Sequence, residues 1–158
     1  MNKKLLEYIE KDCRLSAAQL ATLCKKEEGD IKKAIAQLEA NGTILGYNAL
    51  INWEKTDRES VSALIELNVT PRKDRGFDAI AERISNYPEV KSLYLMSGGF
   101  DLAVYIEGKS LKDVAVFVAR KLSALEDVTA TATHFVLSTF KENGVIFGKT
   151  VKDERENV

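Results

Sequence analysis

Two hydrophobic periods run along the chain, and they change over between residues 53 and 60. Before that stretch the apolar positions recur every three to four residues, the spacing of one helix face. Leu5, Leu6, Ile9 and Cys13 mark a first helix, and Leu20, Leu23 and Cys24 a short second one. Ser16, with Gln19 three residues on, is a capping-box pattern at the start of the second. Ile31, Ile35 and Leu38 form the stripe of a third, which Asn41-Gly42 stops. The segment "TILGYNALINW" that follows is apolar and β-prone, and reads as a strand.

Beyond the polar stretch "WEKTDRES" the period is two. Val61, Ala63, Ile65, Leu67 and Val69 alternate as a strand that Pro71 stops. Phe77, Ile80, Ala81, Ile84 and Tyr87 predict a helix stopped by Pro88. Strands follow over 90–97 and 100–107, and Ser110 opens a helix through Val114, Val118 and Leu122. A last strand is expected over 128–140. The order is β-α-β-β-α-β, the ferredoxin-like arrangement. The expectation is therefore an α+β chain. Three helices occupy 1–50, a strand and linker 51–60, a ferredoxin-like βαββαβ domain 61–145, and a solvated tail 146–158.

The strands are greasy on both faces. Phe100, Leu102, Val104 and Ile106 share one face, Ala103 and Tyr105 the other, and Leu93 and Leu95 lie opposite Tyr94 and Met96. Two helices cover one face of a four-stranded sheet, so the other is expected to meet a second copy.

Composition narrows the classes. The 158 residues are 45% hydrophobic and 30% charged, with 23 basic and 24 acidic side chains, as in an ordinary globular protein. That balance makes no electrostatic case for nucleic acid or a membrane surface. No apolar run approaches a membrane span and the N-terminus lacks a signal-peptide pattern, so a cytoplasmic location is expected. Cys13 and Cys24 read as buried core thiols of a reducing compartment. One histidine, His134, argues against a Cys/His metal site and reads as a packed or interface residue. No nucleophile elbow, P-loop, dinucleotide fingerprint or metalloprotease motif is present, so neither catalysis nor a cofactor is expected.

The stretch "LYLMSGGFDLAVYIEG" holds the most suggestive chemistry. Gly98-Gly99 predicts a two-residue hairpin with positive φ, and Asp101 follows closely. The residues by themselves favour a plain turn with a solvated acid. The alternative is a cradle in which glycine N–H groups hold a carboxylate and Asp101 holds an ammonium.

In combination these features resemble the Lrp/AsnC (feast/famine) transcription regulators. The motif that carries the resemblance is "LATLCKKEEGDIKKAIAQLEANGTILGY", with Leu20, Ala21, Ile35, Leu38, Glu39, Gly42, Ile44, Gly46 and Tyr47 at the pattern's positions, together with the G-G-F-D-L hairpin. The resemblance implies a helix-turn-helix domain that reads double-stranded DNA, and a ferredoxin-like domain of the RAM type that dimerises through its sheet. Dimers of such proteins often assemble into octamers, and a small effector, usually an amino acid, binds near the hairpin. On the recognition helix a functional reading gives Lys32 and Lys33 to phosphates, with Lys25 and Lys26 beside them, and Asp30 and Gln37 to base edges. The resemblance places effector contacts at Met96, Ser97, Gly98, Gly99, Phe100 and Asp101, at contacts between dimers, with the hydroxyls of Thr131 and Thr133 near the effector of a neighbouring subunit. It shifts the reading of the hairpin from turn to pocket. For Thr129, Thr131 and Thr133 simple β-propensity stands as the alternative, and for the helix residues a merely solvated face.

Several positions depart from the pattern. Lys25 replaces a turn glycine, Glu27 a helix-capping serine, and Ala34 a basic residue. Glu27, Glu28 and Asp30 suit a helix N-terminus but repel phosphates. Residues 1–57 hold nine cations and nine anions, no net charge. A second reading follows, an amino-acid-sensing oligomer with weakened DNA binding that acts through protein partners. The sirohaem decarboxylases share the architecture, but the single histidine makes this chain a poor match to them.

Overall fold

The computed structural model describes residues 2–71 and 76–147. The expected tail lies almost wholly in 148–158, outside the described residues. The chain divides into two compact units, Met1–Ile51 and Asn52–Val158.

The first unit holds α1 (Asn2–Lys11), α2 (Ala17–Cys24) and α3 (Glu28–Ala40). Its core is Leu5, Ile9, Leu20, Ala21, Ile31, Ala34 and Leu38, where the apolar stripes of the three helices pack together, with Ile44 beside them. The capping box at α2 is formed: Ser16 Oγ accepts from Gln19 N–H at 3.2 Å, and Gln19 Oε1 accepts from Ser16 N–H at 2.8 Å. Cys13 departs from expectation. It is exposed in the α1–α2 turn, because the α1 helix has ended and the thiol no longer follows the buried stripe; Cys24 is half-buried. Leu23 likewise stands exposed on α2.

The strand expected over 43–53 is not formed, and only one 3₁₀ turn, Trp53–Lys55, occurs there. A strand needs a neighbour for its backbone groups, and the described residues supply none. Leu45, Tyr47, Leu50 and Ile51 are left exposed.

The second unit follows the predicted order with β1 (Val61–Val69), α4 (Asp78–Ser85), β2 (Val90–Leu95), β3 (Leu102–Gly108), α5 (Leu111–Phe117) and β4 (Val128–Phe135). One π-helical turn, Val118–Leu122, extends α5. The sheet is antiparallel in the order β2-β3-β1-β4. Ala63, Ile65, Leu67 and Val69 on β1 and Leu102, Val104 and Ile106 on β3 bury against Ile80 and Ile84 of α4 and Val114, Phe117 and Leu122 after Ser110. The opposite face carries Leu64, Tyr94, Ala103, Tyr105 and Ala132, with His134 Nε2 3.3 Å from Glu66 Oε1. Neither helix of the second unit covers that face.

The last strand ends at Phe135, short of the expected 140. A separate hairpin, β5 (Lys141–Glu142) and β6 (Val145–Ile146), follows at the end of the expected 61–145 domain, where no such element was foreseen. Asn143 (φ 46°) and Gly144 (φ 81°) make its turn, the double positive φ that suits a two-residue hairpin.

Candidate DNA and effector sites

The third helix presents two different sides. At 100° per residue, Asp30, Lys33 and Gln37 line up on one side, while Glu28, Lys32 and Glu39 lie on another. All six are exposed. Lys32 Nζ lies 2.6 Å from Glu28 Oε1, so this cation is already paired within its helix. Lys33 has no ion pair among the described residues. Lys25, Lys26 and Asp30 do come together, around a shallow hollow of about 490 Å³ at the α2–α3 turn that Thr22 and Glu27 also line. Ala34, where the pattern has a basic residue, is buried in the core.

The α2–α3 turn is strained. Lys25 caps α2 in the left-handed region, φ 54° and ψ 53°, with its N–H bonded to Thr22 O at 3.3 Å. Only glycine adopts that backbone freely. Glu27 sits at the N-cap of α3 with no side-chain capping bond, since its carboxylate is one methylene too long for the short reach of Ser or Asp.

The Gly98-Gly99 connection differs from the predicted tight turn. The loop runs over Met96–Asp101, closed by Met96 N–H to Asp101 O at 2.8 Å. Neither glycine is in the left-handed region, and a Cβ at either would meet nothing within 4 Å. The protein's own backbone and packing therefore demand glycine at neither position. Among the described residues, the N–H groups of 97–100 have no hydrogen-bond partner, and Met96, Ser97, Gly98 and Gly99 are exposed while Phe100 is half-buried.

Asp101 is not the freely solvated acid of a plain turn. Its N–H donates to Leu67 O at 2.9 Å, and its Oδ2 accepts from Val69 N–H at 2.8 Å. The second bond stands where the next rung of the β1–β3 ladder would fall, beyond the Leu67–Leu102 pair. A side chain thus extends the sheet by one rung and roots the loop on the central strand. Sequence reading missed this because the partners are 32 residues apart. Two side-chain ties on the linker were missed for the same reason of distance: Tyr47 Oη donates to Glu39 Oε1 at 2.9 Å, and Arg58 Nη2 donates to Glu107 Oε1 at 3.0 Å.

Thr131 and Thr133 pair with Leu67 and Ile65, so they share the helix-covered side of the sheet. Strand β1 separates them from β3, which puts Thr131 roughly 10 Å, two strand spacings, from the end of the loop. One copy of the chain does not bring these threonines to Gly98-Gly99. Thr129 Oγ1 donates to Asn68 O at 3.1 Å, a local use of its hydroxyl.

An open groove of about 1010 Å³ lies elsewhere, between α1 and residues 43–48, lined by Leu6, Ile9, Cys13, Ile44 and Tyr47 among others. Among the described residues no cluster of three or more His, Cys, Asp or Glu side chains has metal-binding geometry, and no helix is long and apolar enough to cross a membrane.

Comparison with known proteins agrees with this architecture. Residues 62–146 match the Lrp/AsnC ligand binding domain. The HTH-type transcriptional regulator YugG of Bacillus subtilis is 41% identical over 153 residues, which cover 96% of this chain and 92% of that protein. The HTH-type transcriptional regulator LrpA of Pyrococcus abyssi is 27% identical over 140 residues, covering 89% and 96%. Among solved structures, a Neisseria meningitidis transcriptional regulator in complex with L-Met superposes with a TM-score of 0.71 at 23% identity, covering 88% of this chain and 89% of that one. The leucine response regulatory protein of Mycobacterium tuberculosis gives 0.75 at 22%, covering 90% and 94%.

Proposed function

This chain belongs to the Lrp/AsnC family of transcriptional regulators, and we propose that its effector is an amino acid held at the Met96–Asp101 loop. The protein is a DNA-binding transcriptional regulator, not an enzyme. The observation that carries the effector reading is the loop itself. It has two glycines that the protein's own conformation does not require and, among the described residues, a run of N–H donors without a partner and a carboxylate with one oxygen engaged and the other available. An α-carboxylate suits those donors and an α-ammonium suits Asp101 Oδ1. Met96 and Phe100 flank the position for a side chain. That one copy leaves the loop open, with Thr131 and Thr133 remote, supports a site completed by a second copy. The uncovered sheet face with Tyr94, Tyr105 and Leu64 supports a homodimer, and an octamer is the higher assembly that such dimers would build.

On DNA, Lys33 and Gln37 face outward together with Asp30. Lys25 and Lys26 supply charge at the turn. An amino acid that binds one assembly better than another shifts the population and with it the arrangement of the DNA-reading helices.

The test is fluorescence anisotropy of the full chain on DNA from upstream of its own gene, at two salt concentrations, with and without the twenty amino acids. Salt-sensitive binding changed by the mixture, and unchanged by it in Gly99→Val, is the expected result. The pairing of Lys32 with Glu28 and the acidic start of α3 favour a second reading, an amino-acid-sensing oligomer that works through protein partners. Absence of DNA binding at low salt would select it.

A further inference from the structure

The segment that joins the two units is held at both ends, each end within its own unit. On the first unit, Thr43 N–H and Ile44 N–H both bond Leu38 O at 2.9 Å, turning the chain back along α3. Ile44 packs on the helical core, and three residues later the Tyr47 hydroxyl donates to Glu39 at 2.9 Å. Glu39 lies in the last turn of α3, where a carboxylate is disfavoured by the helix dipole. The bond from Tyr47 gives it a partner there.

On the second unit the chain is tied as soon as it enters. Asn52 Oδ1 caps the 3₁₀ turn through Glu54 N–H at 3.1 Å, and Thr56 Oγ1 closes it on Trp53 O at 2.8 Å. Arg58 then stacks its guanidinium 4.2 Å from the centre of the Trp53 ring and bonds Glu107 at 3.0 Å. Glu107 belongs to β3 and is mostly buried, so Arg58 fastens the turn to the sheet. Between Tyr47 and Asn52 stand Asn48, Ala49, Leu50 and Ile51, for which the structure records no side-chain tie.

We propose that Tyr47 and Arg58 are positioning residues that keep the free linker to Asn48–Ile51 and thereby select the spacing between the two DNA half-sites a dimer reads. The proposal rests on the reading of the protein as a dimeric DNA-binding regulator. Four extended residues reach at most about 14 Å. Without the Tyr47 tie the free stretch begins at Leu45, and seven residues reach about 24 Å. Without Arg58 the whole stretch to Ser60 can swing, and its ten residues outside the 3₁₀ turn reach about 35 Å. A short tether makes the second half-site contact effectively intramolecular at one spacing only, and a longer one spreads that advantage over several.

The experiment is selection of duplexes from a random-sequence DNA library by the full-length protein, followed by sequencing, for wild type, Tyr47→Phe, Glu39→Gln and Arg58→Ala. Circular dichroism at 222 nm and its thermal unfolding curve check that each variant is folded. Wild type is expected to enrich two half-sites at one dominant spacing. Tyr47→Phe enriches the same half-site sequence, but its preference against neighbouring spacings falls roughly three- to tenfold, the scale of one exposed hydrogen bond. Arg58→Ala spreads further, and Glu39→Gln, which keeps the acceptor oxygen, stays close to wild type. Unchanged spacing in both Tyr47→Phe and Arg58→Ala overturns the proposal, as does a changed half-site sequence, which would place the effect in α3. Enrichment of single half-sites by wild type also overturns it while leaving DNA binding intact. Enrichment of nothing by wild type overturns the DNA-binding reading and this proposal together.

Discussion

Replacing Asp101 separates its structural duty from its proposed ligand duty. The carboxylate accepts from Val69 N–H at 2.8 Å in a partly buried setting, and Val69 is buried. A hydrogen bond to a charged group contributes about 1.5–3 kcal/mol. Asp101 is half exposed, so the lower end applies, about 1.5 kcal/mol for Asp101→Ala. Asp101→Asn keeps a neutral acceptor oxygen, and since charge roughly doubles such a bond, its loss is about half as large, ~0.7 kcal/mol. For a domain near 100 residues, each kcal/mol moves Tm by roughly 4–8 °C. Asp101→Ala should therefore melt about 6–12 °C below wild type, with Asp101→Asn between them. The assay is thermal unfolding of the full chain followed by fluorescence of Trp53, the single tryptophan, which reports on the second unit. An Asp101→Ala protein that melts within 1 °C of wild type would refute the view that this side chain adds a rung to the sheet. Equal losses in Ala and Asn would show that charge, not the acceptor, holds β1.

Three further outcomes are expected. Lys25→Gly relieves a left-handed strain of about 1–2 kcal/mol but adds unfolded-chain entropy of about 0.4–1 kcal/mol, so the helical unit should gain a net stability of roughly 0.5–1 kcal/mol, measured by urea unfolding at 222 nm. Glu27→Ser gives α3 the capping oxygen it lacks, about 1 kcal/mol, partly offset by the lost dipole interaction of about 0.3–1 kcal/mol; DNA binding by anisotropy should tighten at fixed salt, and weaker binding would contradict the account of the acidic helix start. The Lys121 ammonium, 2.6 Å from Glu89, holds that carboxyl below its ordinary value of 4.5 despite partial burial. A depressed folded value adds stability above the unfolded one and loses it as pH falls through the folded one. The stability gap between wild type and Glu89→Gln should thus be full at pH 7 and shrink below about pH 4.5. The pair is more than a third exposed, so the gap is a small one.

Much of the fold was legible along the chain because it is written in short-range period. The helical stripes of Leu5, Ile9, Leu20, Ile31 and Leu38 and the alternation of Ala63, Ile65 and Leu67 each need only their own neighbours to be read, and each is buried as expected. Ser16 with Gln19 and Ser110 with Asp113 are equally local, and both caps are formed. The errors have a common origin. "TILGYNALINW" has strand composition, yet pairing is a property of two segments, and this one has no partner among the described residues. Gly98-Gly99 has turn composition, yet the loop geometry is decided by Asp101 reaching back to β1, and neither glycine takes a positive φ.

The candidate sites divide in the same way. The order of apolar and polar residues by itself determined the three helical stripes and the βαββαβ order, since helix and strand faces follow from spacing alone, whereas the expectation that the third helix reads DNA came from the resemblance. Only the tertiary structure decided which charges are free. The Lys32–Glu28 pair, four residues apart on one helix, follows from spacing, but the tertiary structure left Lys33 without an ion pair among the described residues, seated Lys25 in a left-handed turn, tied Tyr47 to Glu39 and Arg58 to Glu107, and set Thr131 two strands from the loop. These are contacts between residues up to tens of positions apart, made when sheet register and helix packing bring them within hydrogen-bond range, and no local pattern encodes a distance across a fold.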